Sequence, residues 1–244
     1  MRNLTTAILA CFVALSSGCA HAPGYPPEAE PRPSLVTDFA TLYSQNCAAC
    51  HGAGGANGPA IDLSNPEYQA IVDDNTLRKW ISGGMPGTEM PAFASSAGGM
   101  LTDAQVNALI AGMRNAWSKP NVFAGATPPA YAQTQAGDSH RGQQTYAARC
   151  VVCHATLQPQ QISSSDYLAL VGDQALRTII VAGRPDIGQP DWSHMGTGGK
   201  PSPPLTEQEV DDVVAYLASL RSATPQSAVS GPKSQSKPGT LGGR

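Results

Sequence analysis

Cys47-Ala48-Ala49-Cys50-His51 and Cys150-Val151-Val152-Cys153-His154 set two thiols and an imidazole at the same spacing, twice in 244 residues. In C-x-x-C-H the thiols can form thioethers with porphyrin vinyl groups, and the adjacent imidazole can bind iron from the proximal side. Cys47, Cys50, Cys150 and Cys153 are therefore the expected attachment residues, and His51 and His154 the expected iron ligands. Two copies predict two covalently held haem c groups. A zinc knuckle would need further Cys or His at ligand spacing, and a thioredoxin-like pair would sit between a strand and a helix without the following His. Neither context surrounds these motifs.

Helices must position them. Val36, Phe39, Leu42 and Tyr43 have helical spacing and lead into the first motif, and residues 140–149 lead into the second. Behind each motif come a loop, short middle helices (near 75–81, and within 168–181) and a closing helix (102–117 and 206–220). Thr102 with Gln105, and Thr206 with Glu209, read as capping boxes that start the closing helices. The plan is an internal repeat: Tyr68 to Arg78 lies over Tyr167 to Arg177 at an offset of 99, the motifs at 103 and the closing helices at 104. The expected organisation is a signal peptide at 1–18, a tether at 19–34, a first domain at 35–119, a Pro/Ala/Gln-rich linker at 120–138, a second domain at 139–222 and a disordered tail at 223–244.

Composition sets the context. With 41% apolar and 14% charged residues the chain has room for two small domains and polar connectors, and a net charge of −3 speaks against nucleic acid. Arg2 and the apolar run 4–15 predict export. Leu15-Ser16-Ser17-Gly18-Cys19 resembles a bacterial lipoprotein signal, although Ser16 stands where such signals usually carry Leu; an ordinary signal cut nearby is the alternative. Of six cysteines, Cys11 leaves with the signal and four fall in the motifs, so a lipid gives Cys19 a use. The Pro-rich tether could reach roughly 45 Å from a membrane surface.

Each half resembles a class I cytochrome c domain, and the pair is similar to the dihaem c-type cytochromes of respiratory electron transfer. The resemblance covers residues 35–222 and rests on the two C-x-x-C-H motifs, Gly58-Pro59, Gly87-Thr88-Glu89-Met90-Pro91-Ala92-Phe93 and the two L-T-x-x-[QE] helix starts. It implies an all-α fold whose first and last helices cross beside the haem, with a Met sulfur as the usual sixth ligand. Met90 is then the expected sixth ligand of the first haem, with Met85 the alternative; Met100 is expected to pack, and the Pro59 carbonyl to accept a hydrogen bond from His51. In the second half the register of Met90 falls on Gln189, which has no sulfur; Met195 is the expected ligand, with His194, Gln189 or an open position as alternatives. Arg184 could pair with a haem propionate, whereas Arg78 and Arg177 read as solvated helix faces.

The resulting expectation is an exported, lipid-anchored electron carrier on the periplasmic side, working with redox proteins in the membrane or periplasm and without a small-molecule substrate. A haem enzyme or ligand sensor with an open second iron, and a fixed subunit of an oxidase or reductase, are the alternatives. One packing expectation follows from the repeat. Phe39 corresponds to Gly142 and Gly112 to Tyr216, so each helix crossing pairs one ring with one glycine: Phe39 over Gly112, and Tyr216 over Gly142.

Overall fold

The computed structural model describes residues 32–154, 162–195 and 202–221. The expected signal peptide, Cys19, most of the tether and the tail lie outside the described residues.

All regular structure among the described residues is helical, as expected. The first domain contains α1 (Phe39–Asn46), α2 (Ala48–His51), α3 (Pro66–Ile71), α4 (Asp74–Gly83) and α5 (Asp103–Trp117). The second contains α6 (Ser139–Arg149), α7 (Val151–His154), α8 (Ser165–Leu170), α9 (Asp173–Ala182) and α10 (Glu207–Ser219).

Local chemistry explains most boundaries. The side chains of Asp38, Asn65, Asp73, Asp138 and Ser164 each accept a backbone N–H in the first turn of the helix that follows. Both closing helices start on complete capping boxes, Thr102 with Gln105 and Thr206 with Glu209. Gln105 also donates from Nε2 to the carbonyls of Pro33 and Val36, both at 2.9 Å, and so ties the end of the expected tether to the first domain.

Both helix crossings pair the residues expected from the repeat. A Cβ placed on Gly112 would stand 2.2 Å from the Phe39 ring, which Trp117 meets edge-on at 5.6 Å. At Gly142 the obstacle is backbone: a Cβ there would stand 1.9 Å from the Asp212 carbonyl oxygen and 2.9 Å from Tyr216 Cβ. The crossing of α6 and α10 is therefore the tighter one.

Two expectations are corrected here. Arg177 is not on a solvated face: its side chain is 2% exposed, ion-paired to Asp211 and Glu207, and donates from Nε to the Ala130 carbonyl at 2.8 Å. Its ion-pair partners lie on α10, far away in sequence, so helical spacing could not reveal them. Met100 does not pack; it is 86% exposed, because its neighbour Leu101 takes the interior position. Arg78 is exposed, as read.

The stretch 120–138, read as a linker, lies packed along the protein. Tyr131 sits against the first core with its ring 6.4 Å from Tyr68, and its carbonyl accepts from Gln174 Nε2 at 2.7 Å. The domains also touch directly. Ile71 packs against both cores, and Asn65, buried, donates from Nδ2 to the Ala182 carbonyl at 2.7 Å where α9 ends.

Candidate haem sites

The first motif begins where α1 ends. Cys47 breaks the helix at φ −119°, and its carbonyl then accepts from Cys50 N–H (3.2 Å) and His51 N–H (3.0 Å), winding the motif into the single turn α2. Gly52 closes that turn at φ +81°, where a Cβ would run into the Ala56 carbonyl at 1.7 Å. The returning loop lies on the motif: Ala60 N–H donates to the Cys50 carbonyl at 3.0 Å, and Tyr43 donates its hydroxyl to the Gly52 carbonyl at 2.9 Å.

His51 Nδ1 pairs with the carbonyl of Ile61 at 2.9 Å, not with that of Pro59. The expected interaction is present two residues further on, since the loop register is set by the Ala60–Cys50 hydrogen bond. With Nδ1 donating, Nε2 carries the lone pair and can bind iron. Burial lowers the His51 pKa, the Ile61 carbonyl opposes this, and the charge of Arg184 lowers it further, so the imidazole is held neutral as a ligand must be. Burial pushes the Cys47 thiol up to about 11.

After α4, Gly84 takes φ +71° and the chain turns back so that Met85 N–H donates to the Met90 carbonyl at 3.1 Å and Phe93 N–H to the Ile81 carbonyl at 3.0 Å. Met90 packs half-buried against the first core, whereas Met85 is not among the residues packed there.

The second motif is built alike. Cys150 breaks α6 at φ −109°, its carbonyl accepts from Cys153 N–H (3.2 Å) and His154 N–H (3.0 Å), and burial pushes its thiol up to about 11. Its surroundings differ. His154 Nδ1 is buried without a partner among the described residues; residues 155–161, which follow the motif as Gly52 to Ile61 follow the first, lie outside them. His154 Nε2 stands 3.2 Å from Gln189 Oε1, and Gln189 Nε2 stands 4.0 Å from the Met195 sulfur. One amide thus reaches both the imidazole and the thioether.

Met195 is 6% exposed in the second core, and its carbonyl accepts from Arg149 Nη1 at 3.1 Å. His194 points away: it is 75% exposed, with Nδ1 2.5 Å from Asp191 Oδ2. Arg184, offered above as a propionate partner, has its guanidinium committed to Asp186 and to the Gly58 carbonyl of the first domain. Among the described residues no three His, Cys, Asp or Glu are placed to hold a metal ion by themselves.

Residues 34–111 match the family described as "Cytochrome C oxidase, cbb3-type, subunit III", and residues 139–221 the family described as "Cytochrome c". The chain is a dihaem c-type cytochrome. Its two tandem domains imply two covalently attached haems. It is similar to subunit CcoP of the cbb3-type cytochrome c oxidase of Rhodobacter capsulatus, 26% identical over 220 residues, covering 77% of this chain and 64% of that protein. It is similar also to subunit FixP of the cbb3-type oxidase of Sinorhizobium medicae, 28% identical over 133 residues, 49% of this chain and 38% of that one. The dihydro-heme d1 dehydrogenase of Pseudomonas aeruginosa is 36% identical over 96 residues, 36% of this chain but 18% of its own length. This dihaem cytochrome thus spans less than two thirds of the length of each of these relatives. Among its described residues no helix is long and apolar enough to cross a membrane.

Proposed function

We propose that this dihaem cytochrome is an exported, lipid-anchored carrier that moves electrons between redox proteins of a respiratory membrane. Cys47, Cys50 and His51 would hold the first haem and Cys150, Cys153 and His154 the second, with Met90 and Met195 as the remaining iron ligands. Bound haem supplies one-electron redox chemistry, and the protein's part is to hold the axial residues still and keep water out. The observation that carries the reading is Met195: a thioether buried in the second core, with its backbone pinned by Arg149 and its sulfur in reach of the amide that meets His154. A soft sulfur ligand favours the ferrous state and leaves no position for a substrate.

Carbon monoxide tests it. Both ferrous haems should be six-coordinate, low-spin and slow to bind the gas, and Met195→Ala should open one haem while Met90→Ala opens the other and lowers its potential. Rapid binding at one haem of the wild type would put Gln189 or an open site in place of Met195 and favour the sensor or enzyme reading. Cys19 should be found diacylglyceryl-modified by mass spectrometry of the mature protein; a free amino terminus elsewhere removes the anchor.

A second reading is favoured by the long match to CcoP: a fixed, electron-receiving subunit of a membrane oxidase. Retention in an oxidase complex after a high-salt wash supports it, and release of the chain by the wash supports the shuttle.

A further inference from the structure

The two sites are joined by a buried contact. Arg184 and Asp186 form a two-pronged ion pair, Nε to Oδ1 at 2.8 Å and Nη2 to Oδ2 at 2.7 Å, with side chains 7% and 3% exposed. Both reach across to the backbone of the first domain: Arg184 Nη2 donates to the Gly58 carbonyl at 3.0 Å, and Asp186 Oδ2 accepts from the Asn57 N–H at 2.8 Å. Asn57 holds φ +64°, a conformation in which an Asn is tolerated and most other side chains are strained.

Each end of this contact leads toward a site. Gly58 lies directly on the first motif, since a Cβ there would stand 2.2 Å from the Cys50 carbonyl oxygen and 2.7 Å from the His51 carbonyl carbon. Arg184 is paired through its backbone with Gln189, donating at 2.9 Å and accepting at 3.0 Å, and Gln189 stands in the loop that carries Met195. The contact therefore runs from the loop lying on the first motif, through Gly58 and Arg184, to the loop of the second domain that carries Met195, with a hydrogen bond at the crossing between the domains. A buried ion pair adds little net stability compared with apolar residues of the same volume. What it adds is register: a guanidinium fork and a carboxylate can read a carbonyl and an N–H at adjacent positions, which apolar side chains cannot.

We propose that Arg184 is a positioning residue that fixes the ligand loop of the second domain on the motif loop of the first and so sets the route for electron exchange between the two haems of one chain. The proposal rests on the electron-carrier reading. In the step itself one electron leaves the ferrous haem and reduces the ferric one; no bond changes and no proton moves. Tunnelling falls steeply with distance and with every through-space gap, so a domain contact held in one register by hydrogen bonds would keep the rate uniform.

The test uses the half-reduced holoprotein and exchange spectroscopy of its haem-methyl proton resonances, which separates the two haems whatever their optical spectra. Intramolecular exchange is independent of protein concentration. The paired substitution Arg184→Met with Asp186→Leu removes the register without leaving a lone buried charge, and should slow exchange about tenfold or more while haem content and both midpoint potentials hold. Arg184→Lys, which keeps the charge and loses the fork, should fall between. Equal rates in all three proteins, or exchange in the wild type that scales with concentration, would overturn the proposal. Absence of reversible one-electron steps at both haems would instead overturn the carrier reading on which it rests.

Discussion

The two domains solve the same problem by different routes. In the first, the loop after α2 returns at once to satisfy His51 through the Ile61 carbonyl, and Met90 arrives on a compact turn directly after α4. In the second, the register of Met90 carries Gln189, and the sulfur arrives six residues later on Met195, tied down by Arg149. The helix crossings diverge too: Gly112 makes room for a ring, whereas Gly142 makes room for backbone. A scaffold of this size has few apolar residues to spend on a core and depends on its cofactor as a staple. On the proposed reading, what must persist between copies is the pair of iron ligands and the close helix crossing; the loop that would deliver a ligand and the residue that fills the crossing can each change.

The largest effect expected from breaking this parallel is at the crossing. Gly142→Ala sets a methyl against the α10 backbone, which cannot step aside without moving the helix, and should cost about 3 kcal/mol or more. Gly112→Ala meets the Phe39 side chain, which can rotate at the expense of its contact with Trp117, and should cost about 1–2 kcal/mol. Thermal melts of the two holoproteins would check the order. A reversed order would mean that the first domain, not the second, has the rigid crossing.

A smaller contrast should separate the methionines. Met195 lies within the second core and Met90 only against the edge of the first, so with the irons oxidised, where the thioether bond is weaker, Met195→Ala should destabilise by about 2–3 kcal/mol and Met90→Ala by roughly half as much. Urea titrations of both variants would measure it. Equal losses would place Met90 deeper than its packing indicates.

The features legible in the sequence were those with local causes. C-x-x-C-H forces a single turn, T-x-x-Q and T-x-x-E begin a helix, and the exchanged ring and glycine positions reported the crossing because they stand on helices of known period. Loop register was less legible: Pro59 lies two residues from the true acceptor Ile61, and nothing in the spacing records the Ala60–Cys50 hydrogen bond that decides it. Arg177 was misread, and the contacts of the 120–138 linker went unseen, for another reason. Their partners are far apart in sequence, and a Pro- and Gln-rich segment shows no period even when Tyr131 anchors it and Arg177 holds its Ala130 carbonyl. The domain contact through Asn65, Arg184 and Asp186 left one visible trace: Asn65-Pro66, an N-cap followed by Pro at the first helical position, announces α3, the helix that faces the second domain.

The smallest predicted effect lies at that same contact. Glu67, in α3, has Oε2 buried without a partner among the described residues. Burial raises its pKa to about 7, the Asp191 carboxylate of the second domain adds to the rise, and His194 opposes it. His194 is itself raised, first by its hydrogen bond to Asp191, so it remains positively charged further up the pH scale than a free imidazole. The folded protein therefore keeps a proton on Glu67 where the unfolded chain, with the ordinary value of 4.5, has released it. The stabilisation from that proton is complete below the unfolded value and is lost as pH rises through the folded one. Because Glu67 is partly solvated, the loss should be about 1 kcal/mol rather than the full equivalent of the shift. Glu67→Gln imitates the protonated state at every pH. Its stability should match the wild type near about pH 4 and exceed it by about 1 kcal/mol near about pH 8, the difference opening between those limits. Urea denaturation across that range would show it, and Asp191→Asn should shift the opening to lower pH by removing the neighbouring charge. A constant difference at all pH values would mean that Glu67 titrates in the folded protein as it does in the unfolded chain, so that the domain contact holds a carboxylate at neutral pH.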